Sequence, residues 1–159
     1  MTNRKLFEEF LNKNLNNIYR FAYSYTKDIQ SAEDIVSESI IKALSSIDKL
    51  KKQDFMKTWF YKIIINTYIT NIKKEKKQIN NYNKKTDLSE NIFDDYSHIT
   101  LNEFIEKLDE KYKTIIILRY FEDMTIEEIS KIIDKNINTT KSRLYKALKI
   151  LKIEMEEYK

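Results

Sequence analysis

Apolar side chains return along this chain every three or four residues, the period that lines one face of an α-helix. Phe7, Phe10, Leu11, Ile18, Phe21, Ala22 and Tyr25 share such a face and predict a first helix. The pattern stops at Thr26 to Gln30. Ser31 then offers an N-cap, with Glu33 and Asp34 in the first turn, where carboxylates complement the helix dipole. Ile35, Val36, Ile40, Ala43, Leu44 and Ile47 predict the inner face of a second helix, and Asp34, Ser37, Glu38 and Lys42 its outer face. The lysine-bearing stretch Asp48 to Gln53 predicts a loop. Asp54 is placed to cap a third helix reaching about Lys77, with Met56, Trp59, Phe60, Ile63, Ile64 and Thr67 on its apolar face.

The period is lost between Gln78 and Ser97. Asn, Asp, Lys and Ser dominate there, and Ile79, Leu88, Ile92 and Phe93 fit no helical face. A polar stretch of that length predicts a linker (78–99) between two lobes, 1–77 and 100–159. Beyond it, Leu108 to Phe121 predicts a helix with Tyr112, Ile115, Ile116 and Tyr120 on one side. Thr125-Ile126-Glu127-Glu128 is a capping box for a short helix that buries Ile126, Ile129, Ile132 and Ile133. Asp134-Lys135-Asn136 predicts a turn. A last helix from about Asn138 buries Leu144, Ala147, Leu148 and Leu151. Short helix, tight turn and longer helix form the pattern of a helix-turn-helix.

Composition sharpens this all-α reading. Among 159 residues there is no glycine, proline or cysteine. A P-loop, a dinucleotide-binding fingerprint and a nucleophile elbow all need glycine, and disulfides or thiolate metal sites need cysteine, so each is excluded. The same absence disfavours tight hairpins and leaves Asn and Asp to make the turns. It also reflects codon usage: 25 Ile, 25 Lys, 14 Asn and 11 Tyr are residues of AT-rich codons. The longest aliphatic run, Ile115 to Leu118, is far short of the ~20 residues of a membrane span. Met1 to Phe7 carries no apolar signal core, which predicts a cytoplasmic protein.

Net charge is only +4, but its distribution is uneven. Lys73 to Lys85 holds six lysines and one acid, Asp87 to His98 four acids and no lysine or arginine, and Lys135 to Lys152 five lysines and Arg143 with no acid. Two basic stretches separated by an acidic one predict two surfaces facing a polyanion, against the alternative of two solvated helix faces. On the third helix, Lys57, Lys62, Asn66, Thr70, Lys73 and Lys74 recur on a polar side bordered by Trp59, Tyr61 and Tyr68. Lysines that follow phosphates, aromatics that stack and an amide that reads a base edge suit melted nucleic acid. The same lysines read equally well as a solubilising face, and Trp59 alone favours a core position. On the last helix, Thr139, Lys141, Ser142, Arg143 and Lys146 lie near the start, where recognition side chains meet bases and phosphates. Asp94, Asp95 and His98 form an acid–histidine cluster on the linker. Adjacent side chains on a loop do not preorganise a site, so no catalytic group, metal or cofactor is expected.

Three segments carry a resemblance. Asp28 to Leu44 (DIQSAEDIVSESIIKAL), Thr58 to Asn66 (TWFYKIIIN) and Leu108 to Leu148 (LDEKYKTIIILRYFEDMTIEEISKIIDKNINTTKSRLYKAL) resemble regions two and four of an extracytoplasmic-function sigma factor, in that order and with a linker between. Ala43 to Ser46, Trp59 to Lys62 and Leu118 to Asp123 are most similar to the sigma-V branch, linked to cell-envelope and lysozyme stress. The resemblance implies two small helical domains, no enzymatic activity, and core RNA polymerase and promoter DNA as partners. It also implies an anti-sigma protein, often membrane-anchored, that silences the factor. It assigns polymerase docking to Asp34, Ile35 and Glu38, and capture of a flipped −10 base to the loop Ile47 to Phe55. Reading and melting of the −10 element fall to Lys57, Trp59, Lys62, Asn66, Lys73 and Lys74. The −35 recognition helix carries Asn138, Thr139, Thr140, Lys141, Ser142, Arg143, Tyr145 and Lys146.

Departures from the family pattern mark places to watch. The family often has Pro at the position of Asp109, Gly at Asp134 and Asn138, Val at Thr140 and Asp at Thr70. Asn138 is expected to cap the last helix, Asp134 to take a left-handed turn at modest cost, and Thr140 to expose a hydroxyl near the reading face. A stand-alone helix-turn-helix regulator is the competing reading of the same residues.

Overall fold

A computed structural model describes residues 2–79 and 96–158. Every regular element among them is helical, and the chain divides into two compact units, Met1–Ser89 and Glu90–Lys159. Most of the linker expected at 78–99, with Asp94 and Asp95, lies outside the described residues.

The first unit is built from α1 (Asn3–Thr26), α2 (Ile29–Ser46) and α3 (Met56–Ile79), with single 3₁₀ turns at Ile47–Lys49 and Gln53–Phe55. The periodic residues converge as their spacing requires. Phe7, Ile18, Phe21 and Ala22 from α1 are buried against Ala32, Ile35, Val36 and Ala43 of α2 and Phe60, Tyr61 and Ile64 of α3. Edge-on aromatic pairs organise this core. Phe7 meets Phe60 at 5.1 Å and Trp59 at 6.0 Å, and Phe21 meets Tyr61 at 4.8 Å. Such pairs add ~0.5–1.5 kcal/mol beyond the area they bury.

The helix boundaries correct two expectations. Asp28, not Ser31, caps α2: its carboxylate accepts the Ser31 N–H at 2.8 Å, which places Ser31 inside the first turn. Asp54 lies within the 3₁₀ turn that precedes α3 rather than at a simple cap. Lys27 closes α1 in the left-handed region at φ 56°, a position glycine would ordinarily take.

The second unit contains α4 (Tyr96–Lys107), α5 (Glu110–Ile116), a π turn at Ile117–Phe121, α6 (Ile126–Ile133) and α7 (Ile137–Tyr158). No element was expected before Leu108, although Phe104, Ile105 and Leu108 keep a helical interval and are buried. The expected helix from Leu108 to Phe121 instead begins after Asp109 and widens at its end, where the Glu122 N–H donates to the Ile117 carbonyl five residues back. That wider turn breaks the 3.6-residue period. Tyr120, expected inside, is consequently 55% exposed, and Phe121 is exposed beside it. Leu148 on α7 is also surface rather than core. The capping box forms as expected. Thr125 Oγ1 accepts the Glu128 N–H at 3.1 Å, and Glu128 Oε1 accepts the Thr125 N–H at 2.9 Å.

Candidate nucleic-acid interface

The turn between α6 and α7 sets the basic surface of the second unit. Asp134 takes φ 57° and ψ 43°, the left-handed conformation expected of it, and reverses the chain after α6. Asn136 then caps α7: its Oδ1 accepts the Thr139 N–H at 2.7 Å. The expected cap, Asn138, is already inside the helix and exposed. Register explains the difference: α7 begins at Ile137, so Asn136 is the residue whose side-chain oxygen faces the unpaired N–H three positions on.

Around α7 the eight candidate residues separate. Thr140 is fully buried, and its hydroxyl donates to the Asn136 carbonyl at 2.9 Å, so the expected exposed hydroxyl does not exist. Asn138, Thr139, Ser142, Arg143 and Lys146 line a shallow depression of about 280 Å³ whose wall is completed by Tyr112 of α5. Lys141 and Tyr145 are exposed but do not line it. The sequence pattern gave Tyr112 only a core role. Its ring is buried, yet the Lys146 ammonium lies 5.7 Å and the Lys111 ammonium 5.1 Å from its centroid. A tertiary pairing between α5 and α7 leaves no local signature, so Lys111 and Tyr112 could be found only from the fold.

In the first unit, α3 carries its candidates on two sides. Lys62, Asn66, Thr70 and Lys73 share an azimuth with Trp59, because steps of three and four residues stay on one helical face. Asn66, Thr70, Lys73 and Lys74 are exposed, and Trp59 and Lys62 half-buried. Lys57 precedes Lys62 by five residues and falls roughly 140° away from it round the helix, outside that group. Of Tyr61 and Tyr68, expected to border a stacking surface, Tyr61 belongs to the core and Tyr68 is half-buried. Tyr61 packs edge-on against Phe21, and Tyr68 meets Tyr25 at 4.9 Å in a tilted ring pair and donates its hydroxyl to the Tyr25 carbonyl at 3.4 Å. Trp59 remains half-exposed while its other edge meets Phe7, so it is core and surface at once.

On α2, Asp34 is exposed and accepts a hydrogen bond from Gln30 at 3.1 Å. Glu38 pairs with Lys42 at 3.3 Å and accepts from Asn71 of α3 at 3.4 Å. Lys42 in turn donates to the buried Thr67 hydroxyl at 3.2 Å, so a polar ladder joins α2 to α3. Ile35 does not belong to the surface set. It is 4% exposed and packs mainly into the core, and its remaining edge borders a surface pocket shared with Asp34, Tyr68 and Asn71. Ile41, 68% exposed on the same outer side as Asp34 and Glu38, is the aliphatic group that face presents instead.

No cluster of three or more metal-ligating side chains occurs among the described residues, and no described helix is long and apolar enough to cross a membrane.

Two compact helical units, one containing a helix-turn-helix with a basic second helix, define an all-α helix-turn-helix protein. Residues 10–78 match the family Sigma-70 region 2, and residues 98–151 match Sigma-70, region 4. The chain is 45% identical over 138 residues to the RNA polymerase sigma factor SigV of Bacillus subtilis (strain 168), covering 86% of this chain and 83% of that protein. It is 27% identical to the ECF RNA polymerase sigma factor SigW of the same organism, covering 88% and 83%. It belongs to the sigma-70 family of RNA polymerase sigma factors, in the extracytoplasmic-function group near SigV. Sigma factors are non-enzymatic initiation factors that bind core RNA polymerase and promoter DNA. The fold is shared with the sigma factor RpoE of Bartonella quintana, solved in complex with the anti-sigma factor NepR, at a TM-score of 0.79 and 20% identity over 94% of this chain and 96% of that one.

Proposed function

We propose that this sigma factor reads a −35 duplex with the outer face of α7 and opens a −10 element with α3, each while bound to core polymerase. The observation that carries the reading is the acid-free depression at the start of α7. Asn138, Thr139, Ser142, Arg143 and Lys146 meet there on one surface of a helix-turn-helix. Donors at the N-terminal end of such a helix are placed for guanine and phosphate oxygens. Lys141 and Tyr145 flank this surface and contact the backbone beside it. In the other unit, Trp59 and Asn66 are the groups that meet an unstacked base, while Lys62, Lys73 and Lys74 follow its phosphates. Unstacking a base costs only a few kcal/mol, which contacts of this kind can offset without a catalytic group.

Asp34 and Glu38, with Ile41 beside Asp34 in projection, form the face that docks on polymerase. The loop Ile47 to Phe55 receives the flipped −10 base. The similarity to SigV supports a role in envelope or lysozyme stress. The protein acts in the cytoplasm, silenced by a membrane-anchored anti-sigma partner.

Run-off transcription with purified core polymerase on a library randomised at −35 and −10 tests this directly. Enrichment of two separated motifs is the expected result. Sequence-specific DNA binding without factor-dependent initiation would make the protein a stand-alone regulator instead.

A further inference from the structure

We propose that Lys111 and Lys146, both held against the ring of Tyr112, seat one phosphate of the DNA backbone next to the depression on α7. The inference rests on the reading of the second unit as a duplex-DNA reader, and extends its footprint to a helix outside the helix-turn-helix.

Three features converge on an anion. The Tyr112 ring is 6% exposed and therefore fixed, and ammonium groups from two different helices stand 5.1 Å and 5.7 Å from its centroid. Each ammonium is attracted by the ring face, and an anion beside the ring is attracted by both charges. The neighbouring depression of about 280 Å³ has room for a phosphate and is walled by Ser142, Arg143 and Lys146. Holding the lysine stems on a ring also reduces the rotamer entropy lost on binding, which for a free lysine reaches ~1.5–2 kcal/mol. A phosphodiester fits better than a base edge, because lysine is a point charge with no planar fork to read a pattern. The contact is thus sequence-independent: it fixes register, and Arg143 supplies the discrimination.

The test uses the full chain and a labelled −35 duplex taken from the run-off selection, with affinity measured by anisotropy across a salt series. Lys111→Ala is expected to weaken binding about fivefold to tenfold for every −35 sequence, and to lower the slope of log affinity against log salt by about 1. Lys111→Arg, which keeps the charge, is expected to restore most of the affinity and the salt slope that Lys111→Ala loses. Scanning the duplex with single neutral methylphosphonates should reveal one position that weakens the wild-type protein and leaves Lys111→Ala unchanged. Unchanged affinity and slope in Lys111→Ala, with Arg143→Ala still impaired, would overturn this inference alone. Loss of neither in both variants would overturn the DNA reading of the unit itself.

Discussion

The side-chain amide of Asn3 donates to the carbonyl of Leu50 at 3.1 Å, bridging 47 positions of sequence. The same amide reaches the Ile47 carbonyl at 3.3 Å, and its oxygen accepts from Gln53 at 3.4 Å. One residue in the first turn of α1 thus ties down both 3₁₀ turns before α3.

Replacing Asn3 by Ala should release that segment. Two carbonyls lose a partner, at a net cost of about 1–2 kcal/mol. Faster hydrogen exchange at the amides of Leu50 and Phe55 is the expected signature, with promoter opening reduced and −35 binding unchanged. Equal protection in the variant and the parent would show that the tie carries no weight.

Thr140 and Arg143 should part company in a competition assay. Thr140 is buried with its hydroxyl returned to Asn136, so Thr140→Val should leave −35 preference intact and change stability by less than about 1 kcal/mol. Arg143→Ala should cost about 1–3 kcal/mol against the preferred sequence and narrow the gap to mismatched ones. A changed preference in Thr140→Val would place that side chain back on the reading face.

At Asp134 the backbone lies at φ 57°, which glycine adopts without a Cβ clash. Both Asp134→Gly and Asp134→Ala remove the carboxylate, so their difference isolates the backbone. The glycine variant should be more stable than the alanine variant by about 1 kcal/mol in urea melts. The reverse order would mean that the turn is not left-handed in solution.

Asp28 gives an acid-side prediction. Its carboxyl is held below the ordinary value of 3.8, chiefly by the hydrogen bond from the Ser31 N–H. A group with a lowered folded pKa stabilises the fold above its unfolded value and loses that contribution as pH falls through the folded one. Stability should therefore decline below pH 3.8 in part through this cap. Asp28→Asn keeps an N-cap that does not titrate, and should flatten that part of the acid limb in thermal melts. An unchanged limb, or a Asp28 carboxyl titrating at its ordinary value by NMR, would contradict the assignment.

Much of this fold was written in residue spacing, and the misses share physical causes. The inner faces of α1, α2, α6 and α7 follow from apolar intervals, Leu148 excepted, and the Thr125–Glu128 box is a wholly local pattern. Turns were harder, because a chain without glycine places Lys27, Asp123 and Asp134 at positive φ, and none of these residue types marks such a position uniquely. The π turn at Ile117–Phe121 turns Tyr120 outward by breaking a period that the apolar spacing continues. Charge and helix position mark candidate site residues, and they cannot tell a buried Thr140 from a half-buried Thr139. Lys111 and Tyr112 needed the packing of α5 on α7, and Asn3 needed a contact across most of the first unit.

The central claim is a division of labour: α7 reads −35, and α3 opens −10, in one polymerase-bound factor. Permanganate footprinting of a single promoter with core polymerase, comparing Asn66→Ala with Arg143→Ala, tests it most directly. Asn66→Ala should keep promoter occupancy and lose reactive thymines at −10, while Arg143→Ala should lose occupancy and regain opening at high factor concentration. The same defect in both variants, whether in occupancy or in opening, would contradict the account.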